Sequence, residues 1–478
     1  MSEFPDSPIR RLLADGTPHS VYLVGACGSG MKALAEVLAG RGWRVSGSDL
    51  QADSAAGTSL RQRGVTLFGE HSARHIPSDV QLFVYSSAVK PENPERRWAA
   101  EHRVPACAYH EMLGEMMQGR VGISIAGTHG KSTTTALVGC VLTTSGMEPT
   151  VLVGAEVSGR GANGWTGPGR HLVVESCEYQ RHFLSLHPQM AAILGIEADH
   201  FDCFADIDET TAAFREFALQ VPAEGLVAIH QECAASRIAC REIAARVETF
   251  SLSPGADWRA VNLEKIPLGH RFQIWHGDQE FCTTQLRIPG RHHVFNALAA
   301  AALCYQAGVS PEQIARGIEQ FQGIRRRFEV LGEILDGVTV IDDYAHHPTA
   351  IRATLETARE EFGQRRLVCI FQPHQVSRTV GLLDDFAHSF SLADEALIVP
   401  VYGAREKYEK ELVEVSARLA ELIAKQGVMA RYSGSLDQTR ASLDDTLRSR
   451  DVLLTLGAGD IDRIHHDFTR RLQRNHSP

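Results

Sequence analysis

The chain has 478 residues, of which 44% are hydrophobic and 22% charged, and its formal net charge is −10. This length allows two to four globular domains at roughly 100–200 residues each. The net negative charge and the lack of a long run of basic residues argue against general nucleic-acid binding. Ten cysteines occur without a CxxC pair, which argues against a zinc ribbon or a dithiol redox centre. We expect most of them to be reduced and buried. The sequence shows neither a signal-peptide core nor an apolar run of about 20 residues, so we expect a cytoplasmic protein that binds no membrane and no nucleic acid.

The first segment predicts a βαβ unit that binds a diphosphate. A strand at Ser20–Val24 leads through a glycine-rich turn into a helix at Met31–Gly40, and a second strand begins at Trp43. The glycine spacing is GxxGxG, because Cys27 stands where the usual dinucleotide motif has glycine, so NAD and another diphosphate ligand both stay open. The diphosphate candidates are Gly25, Gly28 and Gly30 in the turn, and Ser48 and Asp49 at the end of the second strand.

The second segment begins with a strand at Val121–Ala126, followed by a loop and a helix at Lys131–Thr143. Buried strands are predicted at His171–Val174, Met190–Leu194 and Gly225–Ile229. Polar and apolar residues alternate towards the end of the segment, so we expect residues 249–286 to be largely antiparallel.

The third segment starts near Phe328 and again alternates short apolar strands with helices, which favours a parallel sheet. The predicted fold class is therefore α/β with three domains. These are an N-terminal Rossmann-like domain (1–117), a central P-loop ATPase-like domain with a mostly parallel sheet and an antiparallel portion (118–327), and a C-terminal Rossmann-like domain (328–478). The strands predicted in the third segment are Val338–Ile341, Leu367–Phe371, Ala396–Pro400 and Val452–Leu456, and its helices are Ala350–Phe362 and Glu411–Gln426.

A phosphate-binding loop carries the strongest functional signal. The run Gly127–Thr133 follows a strand and opens a helix, so its backbone N–H groups can surround phosphates. Lys131 supplies a cation near the terminal phosphates and the Ser132 hydroxyl can reach Mg²⁺. The usual first glycine of the motif is replaced by Ile125, which makes this a shorter variant. The predicted ATP-binding residues of the loop are Gly127, Thr128, His129, Gly130, Lys131, Ser132 and Thr133.

Acidic and imidazole side chains follow two later strands of the same segment. Glu175 follows the strand Leu172–Val174, and Asp199 with His200 follows the stretch Ile193–Ala198. Ligands of parallel sheets bind at the carboxyl ends of the strands. We therefore expect Glu175 and His200 near the phosphate loop as candidate metal ligands. A helix cap or a surface turn explains Glu175 or Asp199 alone equally well, and a lone histidine such as His200 is more often packed or capping than a ligand.

Together these stretches resemble the Mur ligases and the folylpolyglutamate synthases, over about residues 19–460. The resemblance is strongest to the branch of the Mur family that adds L-alanine. Residues 201–222 contain no lysine, which agrees with that branch, since sister ligases carry a carbamylated lysine there. The stretches that carry the resemblance are Gly127–Thr134, Glu197–His200, Gly290–Ala297, Ile324–Phe328, Ile341–Pro348, Phe371–Thr379 and Glu175–Leu184. Departures from the family pattern are Cys27, Gly195, His293 and Gln375.

The resemblance implies a reaction and a set of roles. ATP would phosphorylate the carboxylate of UDP-N-acetylmuramate, and the amine of L-alanine would displace phosphate from the acyl phosphate. Lys131, Glu175 and His200 would be catalytic. Ser132 and Glu175 would hold one Mg²⁺ beside the β- and γ-phosphates, and His200 would ligate a second metal ion near the acyl phosphate. The remaining implied contacts are Asn296, Arg327 and Asp343 to ATP; Gly25, Gly28, Gly30, Ser48, Asp49, His71, Ser86 and Ser87 to the UDP-sugar; and Tyr344, His346 and Arg378 to the amino acid.

Three alternatives stay open at this point. A muropeptide-recycling ligase shares the ATP chemistry but joins a tripeptide to the same sugar nucleotide. An NAD-dependent oxidoreductase explains the first glycine turn but gives no role to Lys131, Glu175 or His200. A non-catalytic nucleotide sensor would bind ATP without releasing phosphate. We expect a monomer or a homodimer.

Overall fold

The computed structural model describes residues 7–334, 337–404 and 409–465. Three separate sheets of five, ten and six strands follow one another along the chain. The predicted α/β class with three domains is confirmed, whereas the boundaries near 118 and 327 stay predictions. Residues 1–6 and 466–478 of the predicted outer domains lie outside the described residues.

The first sheet has five strands in the order β3-β2-β1-β4-β5, and every neighbouring pair is parallel. This is the Rossmann-like arrangement that the sequence predicts, and β1, fully buried, lies at its centre. The elements of this part are α1 (Pro8–Ala14), β1 (Ser20–Val24), α2 (Ser29–Gly40), β2 (Arg44–Ser48), α3 (Ala55–Gln62), β3 (Thr66–Phe68), β4 (Leu82–Tyr85), α4 (Pro94–Glu101), β5 (Ala106–Ala108) and α5 (Tyr109–Met117), with a 3₁₀ turn at Ala73–His75.

The second sheet has ten strands in the order β15-β14-β13-β12-β11-β10-β6-β9-β7-β8. Its strands and helices are β6 (Val121–Ala126), α6 (Lys131–Thr144), β7 (Thr150–Val157), β8 (Ala162–Trp165), β9 (His171–Glu175), β10 (Met190–Ile193), α7 (Ile207–Ala218), β11 (Leu226–His230), α8 (Ala234–Ala239), β12 (Arg246–Ser251), β13 (Trp258–Ile266), β14 (Gly269–His276), β15 (Gln279–Leu286), α9 (His292–Gln306) and α10 (Pro311–Gln320), with a 3₁₀ segment at Tyr179–Ser185.

The antiparallel part of this sheet is smaller than the sequence predicts. β12 pairs in parallel with β11 and, through two residues, with β13, so within residues 249–286 antiparallel pairing begins between β13 and β14. At the opposite edge of the sheet, β7 and β8 form a further antiparallel pair. The expectation was therefore wrong for residues 249–251, whereas β13, β14 and β15 are antiparallel as predicted. The alternation on which the prediction rests lies in β14 and β15, which are antiparallel, and it was extended to β12 without such a pattern.

The third sheet has six strands in the order β16-β17-β21-β18-β19-β20, and only the pair β16–β17 is antiparallel. The strands that pair in parallel are short and strongly apolar, as buried parallel strands are. The elements of this part are β16 (Glu329–Ile334), β17 (Val338–Asp343), α11 (Pro348–Phe362), β18 (Leu367–Phe371), α12 (Val376–Gly381), α13 (Leu383–Ser389), β19 (Glu395–Ile398), α14 (Glu409–Lys425), β20 (Met429–Tyr432), α15 (Leu436–Ala441), α16 (Leu443–Thr446) and β21 (Val452–Leu456), with a 3₁₀ turn at Ile461–His465.

Helix α2 joins the first domain to the central one, because it packs against β7 and β8. The Lys32 Nζ donates to Asn163 Oδ1 at 2.7 Å, and the Glu36 carboxylate accepts the backbone N–H groups of Asn163 and Gly164 at 2.7 and 2.8 Å. These charged groups are buried and hydrogen-bonded, as burial of charge requires. None of the helices in the described ranges combines the length and apolarity that crossing a bilayer demands.

The ten cysteines all carry free thiols. The sequence predicts mostly buried cysteines, but only Cys107, Cys240, Cys304 and Cys369 are buried, and Cys177 is exposed. The prediction of reduced thiols agrees with the structure, whereas the prediction of burial holds for fewer than half of them.

Candidate functional site

A cavity of about 890 Å³ lies where the three domains meet. The first domain contributes Gly30 and Lys32, the central domain contributes the phosphate loop, and the third domain contributes residues around β17. Ligand sites commonly occupy such junctions between domains. The sequence-predicted residues that line it are Gly30, Thr128, His129, Gly130, Lys131, Ser132, Glu175, His200, Arg327, Tyr344 and His346.

The phosphate loop connects β6 to α6, as predicted. Gly130 precedes the first helical residue in the left-handed region, with φ +79°, where glycine carries no Cβ penalty. Thr128 fastens the loop to the segment after β10, since its N–H donates to Gly195 O and its Oγ1 accepts Glu197 N, both at 2.9 Å. The first turn of α6, including Ser132 and Thr133, is buried beneath the loop.

Lys131 is held by a carboxylate for which the sequence reasoning gave no role. Its Nζ lies 3.0 and 3.1 Å from the two carboxylate oxygens of Glu178 and 2.5 Å from Gly127 O. Burial, the largest single effect, would lower the pKa of Lys131, but the charge and hydrogen bond of Glu178 together with the charges of Cys177 and Glu175 outweigh it, so the pKa is raised and the ammonium stays charged.

Glu178 also lies 3.7 Å from His200 Nε2, so one buried carboxylate contacts both the loop lysine and the histidine. It sits just before Gln180 and Arg181, which have φ values of +51° and +57°. No periodic pattern predicts such a backbone, which is why the sequence did not reveal this role. The sequence feature that could have indicated a role for Glu178 is its position as a second acidic residue, three residues after Glu175.

Glu175 lies beside the phosphate loop because β9 is the parallel neighbour of β6, with Ile125 opposite Glu175 in the register. Its Oε2 accepts the N–H of Gly154 at 2.6 Å, which orients the carboxylate. Glu175 and Ser132 line the same cavity and offer a carboxylate and a hydroxyl oxygen. These are the hard oxygen donors that Mg²⁺ prefers, so the residues present fit that ion.

Asp199 and His200 are placed differently from the prediction. β10 ends at Ile193, so the two residues belong to a loop and do not follow the strand directly. His200 has φ +55°, and Asp199 Oδ1 accepts Arg378 Nε at 2.6 Å. Burial would raise the pKa of Asp199, but the charge and hydrogen bond of Arg378 together with the neighbouring His200 and His346 hold it well below its usual range. The Asp199–Arg378 ion pair is buried and connects the central domain to α12.

The third-domain candidates cluster around β17. The Arg327 guanidinium lies 5.2 Å from the centre of the Tyr344 ring, within the range of a cation–π contact. The His346 Nδ1–H donates to Tyr344 O at 2.8 Å, and burial together with the Arg378 charge holds the pKa of His346 well below its usual value. Both oxygens of Asp343 accept backbone N–H groups, from Phe328 and Ala345, each at 2.8 Å. Burial raises the pKa of Asp343 to about 6.

Asn296 lies in the first half of α9, against the phosphate loop. A Cβ added to Gly130 would lie 2.6 Å from Asn296 Oδ1, so only glycine allows this approach. The Asn296 side chain also contacts His293 Nδ1 at 3.3 Å. The predicted adenine contact thus sits next to the loop that would hold the phosphates, although Asn296 itself does not line the cavity.

The first-domain candidates form two groups. Asp49 binds its own glycine turn, since its Oδ2 accepts Cys27 N at 2.9 Å, and its Oδ1 accepts Gln51 N at 2.8 Å. Ser48 donates to the buried carboxylate of Glu95 at 2.7 Å, and His71 lies 2.9 Å from the Ser48 hydroxyl. The predicted residues that lie outside the cavity lining are Gly25, Gly28, Ser48, Asp49, His71, Ser86, Ser87, Gly127, Thr133, Asn296, Asp343 and Arg378.

Comparison with family models covers all three domains. Residues 20–121 match the Mur ligase family catalytic domain, residues 125–304 match the Mur ligase middle domain, and residues 326–459 match the Mur ligase glutamate ligase domain.

Individual proteins agree with the family models. A UDP-N-acetylmuramate–L-alanine ligase of Alkaliphilus metalliredigens is 40% identical over 443 residues, covering 92% of this chain and 95% of that protein. One from Salinibacter ruber is 39% identical over 469 residues and covers 98% of each chain. The crystal structure of UDP-N-acetylmuramate–alanine ligase MurC from Thermotoga maritima matches with a TM-score of 0.78 at 27% identity, covering 95% of this chain and 99% of that one. A murein peptide ligase from Psychrobacter arcticus shares the fold with a TM-score of 0.70 at 24% identity, covering 96% of this chain and 100% of that one. The chain belongs to the Mur ligase family.

Proposed function

We propose that this chain is a UDP-N-acetylmuramate–L-alanine ligase, which spends ATP to form an amide bond in the synthesis of peptidoglycan precursors. The observation that carries the proposal is the joint lining of one cavity by Lys131, Glu175 and His200 from the central domain and by Tyr344 and His346 from the third domain. Near full-length relatives with that name support it. Membership in the Mur ligase family favours this reaction over the oxidoreductase hypothesis.

The first step joins the muramoyl carboxylate to phosphorus. A carboxylate oxygen attacks the γ-phosphorus, the bond to the bridging oxygen breaks, and ADP leaves with that electron pair. Lys131 and the backbone N–H groups at the start of α6 would stabilise the charge on the phosphoryl oxygens. In this structure Lys131 pairs with Glu178, and the incoming phosphates would share the ammonium with that carboxylate.

Mg²⁺ is part of the proposal because the donors fit it. Ser132 and Glu175 would hold one ion, and His200 would stand near a second one. When bound, Mg²⁺ neutralises phosphate charge and so lowers the barrier to phosphoryl transfer. Glu178, which contacts both Lys131 and His200, would keep these two side chains in position.

The second step forms the amide. The amine of L-alanine attacks the acyl carbon and loses a proton, and phosphate leaves as the tetrahedral intermediate collapses. His346 would contribute hydrogen bonding and not act as the base, because its lowered pKa makes it a weak proton acceptor. Tyr344 and Arg378 are the other proposed contacts to the amino acid, and closure of the third domain would exclude water from the acyl phosphate.

The UDP-sugar is assigned to the first domain, with Gly25, Gly28 and Gly30 near its diphosphate. Gly30 lines the cavity, which places this turn at the edge of the reaction site. The other proposed contacts are Ser48, Asp49, His71, Ser86 and Ser87 to the UDP-sugar, and Asn296, Arg327 and Asp343 to ATP. A cytoplasmic location and a monomeric or dimeric state belong to the same proposal.

Phosphate release from ATP tests the proposal directly. With UDP-N-acetylmuramate present, we expect L-alanine to stimulate release more than glycine, L-serine or the tripeptide of the recycling reaction. Omission of the sugar nucleotide is the control and should abolish the stimulation. Preference for the tripeptide would replace the proposed substrate, and ATP binding without any stimulated release would indicate a nucleotide sensor.

A further inference from the structure

Three side chains at the junction of the central and third domains form a group to which the proposed reaction assigns no side-chain role, although His129 belongs to the loop predicted to bind ATP and lines the cavity. His129 belongs to the phosphate loop, Glu197 to the loop after β10, and His347 to the loop before α11. We call them the His–Glu–His cluster. Their ligand atoms all lie within 4.8 Å of one another, and no other group of three His, Cys, Asp or Glu residues in the described ranges meets this criterion.

The spacing in the cluster suits a shared cation better than direct hydrogen bonds. His129 Nε2 and His347 Nδ1 each lie 3.5 Å from Glu197 Oε2. A direct hydrogen bond between such groups measures about 2.7–3.2 Å. Two ligands of a tetrahedral Zn²⁺ ion, each bound at about 2.0–2.1 Å, are separated by about 3.4 Å. The two distances to Glu197 match the second geometry, and the two histidine nitrogens lie within 4.8 Å of each other.

His129 supplies an independent observation. Its Nε2 is buried and has no hydrogen-bond partner, which is an unfavourable state for a ring nitrogen. A bound cation would satisfy that nitrogen. Its neighbour Glu197 is already oriented, because Thr349 Oγ1 donates to Glu197 Oε2 at 2.7 Å.

The surroundings of His347 resemble those of a ligand histidine. Its Nε2 lies 3.3 Å from Ala198 O, and donation to that carbonyl leaves Nδ1 without a proton. Nδ1 then faces Glu197 and also accepts the N–H of Thr349 at 3.3 Å, a long bond that a cation would replace. Ligand histidines usually donate their other ring N–H to a carbonyl or carboxylate, as His347 does.

We propose that the His–Glu–His cluster binds a divalent transition-metal ion of the zinc class, with His129 Nε2, Glu197 Oε2 and His347 Nδ1 as ligands and water in the fourth position. Two imidazoles and one carboxylate form a common zinc ligand set, whereas Mg²⁺ prefers oxygen alone. The ion ties the phosphate loop to the third domain and so stabilises the closed arrangement of the two domains.

Metal binding to the full-length chain tests this inference. After removal of metals with a chelator, the protein is dialysed against Zn²⁺ in an excess of Mg²⁺ and its metal content is measured. We expect one tightly bound Zn²⁺ per chain, and a loss of affinity of about tenfold or more in His347→Gln and in Glu197→Gln. His388→Gln, which changes an exposed histidine on α13, is the matched control and should bind as the wild type does.

Two further measurements separate this site from the catalytic one and from loss of folding. His200→Gln should keep the ion, and Co²⁺ in place of Zn²⁺ should give a visible absorption band in the wild type that weakens in His347→Gln. Zn²⁺ should also raise the melting temperature of the wild type, as a ligand of the folded state does. The inference is overturned if the wild type binds no Zn²⁺ in excess Mg²⁺, or if the ion is lost in His200→Gln but retained in His347→Gln.

Discussion

Lys131 and Glu178 form a buried ion pair beside the phosphate loop, and the proposed reaction needs its lysine. Their side chains are only 14% and 3% exposed, so the two charges depend on each other. Removing one partner of a buried pair leaves an uncompensated charge, which costs about 3–5 kcal/mol. We expect Lys131→Ala to lower the melting temperature and to reduce L-alanine-dependent phosphate release by roughly a hundredfold to a thousandfold.

A second substitution separates these two effects. Glu178→Gln removes the carboxylate charge that Lys131→Ala leaves without a partner. The double variant, Lys131→Ala with Glu178→Gln, should therefore recover most of the melting temperature lost in Lys131→Ala but none of the activity. Calorimetric melting and the phosphate assay measure the two outcomes. Full activity in Lys131→Ala would remove the phosphate loop from the mechanism.

His293 is a departure from the family pattern that has a measurable consequence. Burial, followed by the charge of His292, holds the pKa of His293 well below its usual value, and burial lowers the pKa of His292 to about 4. The folded state keeps both rings neutral, whereas the unfolded chain protonates them near pH 6.5. Their contribution to stability is therefore full above that pH and declines as the pH falls towards about 4.

We predict that His293→Asn reduces this acid sensitivity, because one buried imidazole is removed and the new amide can still contact Asn296. Melting temperatures recorded across that pH range are the measurement, and His388→Asn is the control at an exposed position. Parallel pH curves for the wild type and His293→Asn would show that His293 does not cause the acid loss.

Individual site residues differ in how well the sequence predicts their positions. The positions of Lys131 and Ser132 could be predicted because strand, glycine loop and helix are contiguous, and the position of Glu175 followed from a buried neighbouring strand. The Asp199–Arg378 bond could not be predicted, since it joins residues 179 positions apart in two domains. Glu178 was missed because its contacts depend on a backbone path with positive φ values, which leaves no periodic trace.

At the scale of elements, helix α2 holds the first domain against β7 and β8 of the central domain. Gly164 in β8 lies so close to α2 that an added Cβ would collide with the carbonyl oxygen of Ala33. Gly164→Ala should therefore separate the first domain from the central one and cost about 1–3 kcal/mol. Gly69→Ala, whose new Cβ would meet only an ordinary contact at 4.0 Å, is the control.

The readout for Gly164→Ala is the KM for UDP-N-acetylmuramate together with thermal melting. We expect the KM to rise, because α2 begins at the glycine turn whose Gly30 lines the cavity, so a displaced α2 would move this turn. Equal melting temperatures and KM values for Gly164→Ala and Gly69→Ala would contradict the role of this contact.

The strands were easier to predict than their pairing. Buried runs such as Leu367–Phe371 and Val452–Leu456 coincide with observed strands, because their apolar composition reflects burial on both faces. Pairing is a different problem, since β21, the last strand in sequence, lies between β17 and β18. No local signal states which strands become neighbours, and the direction of β12 was misjudged for the same reason.

At the scale of the whole molecule, contacts between domains complete the site. Arg378 from the third domain reaches Asp199 of the central domain, and the two side chains are only 3% and 8% exposed. Glu197 is held from the third domain as well, through Thr349. The site residues of the central domain are therefore positioned partly by a domain that starts more than a hundred residues later.

We expect Arg378 to hold the third domain against the central one, to bind L-alanine, or to do both. The radius of gyration of the free chain distinguishes these roles. If its bond to Asp199 holds the third domain closed, Arg378→Ala should increase the radius of gyration of the free chain in small-angle X-ray scattering, because a buried carboxylate loses its partner. If Arg378 also binds the carboxylate of L-alanine, the KM for L-alanine should rise about tenfold to a hundredfold, as the loss of a charged hydrogen bond implies. Arg418→Ala, at an exposed position on α14, should leave both quantities unchanged. A raised KM with an unchanged radius of gyration would make Arg378 a substrate ligand alone, and closure would then depend on other contacts such as the one between Thr349 and Glu197.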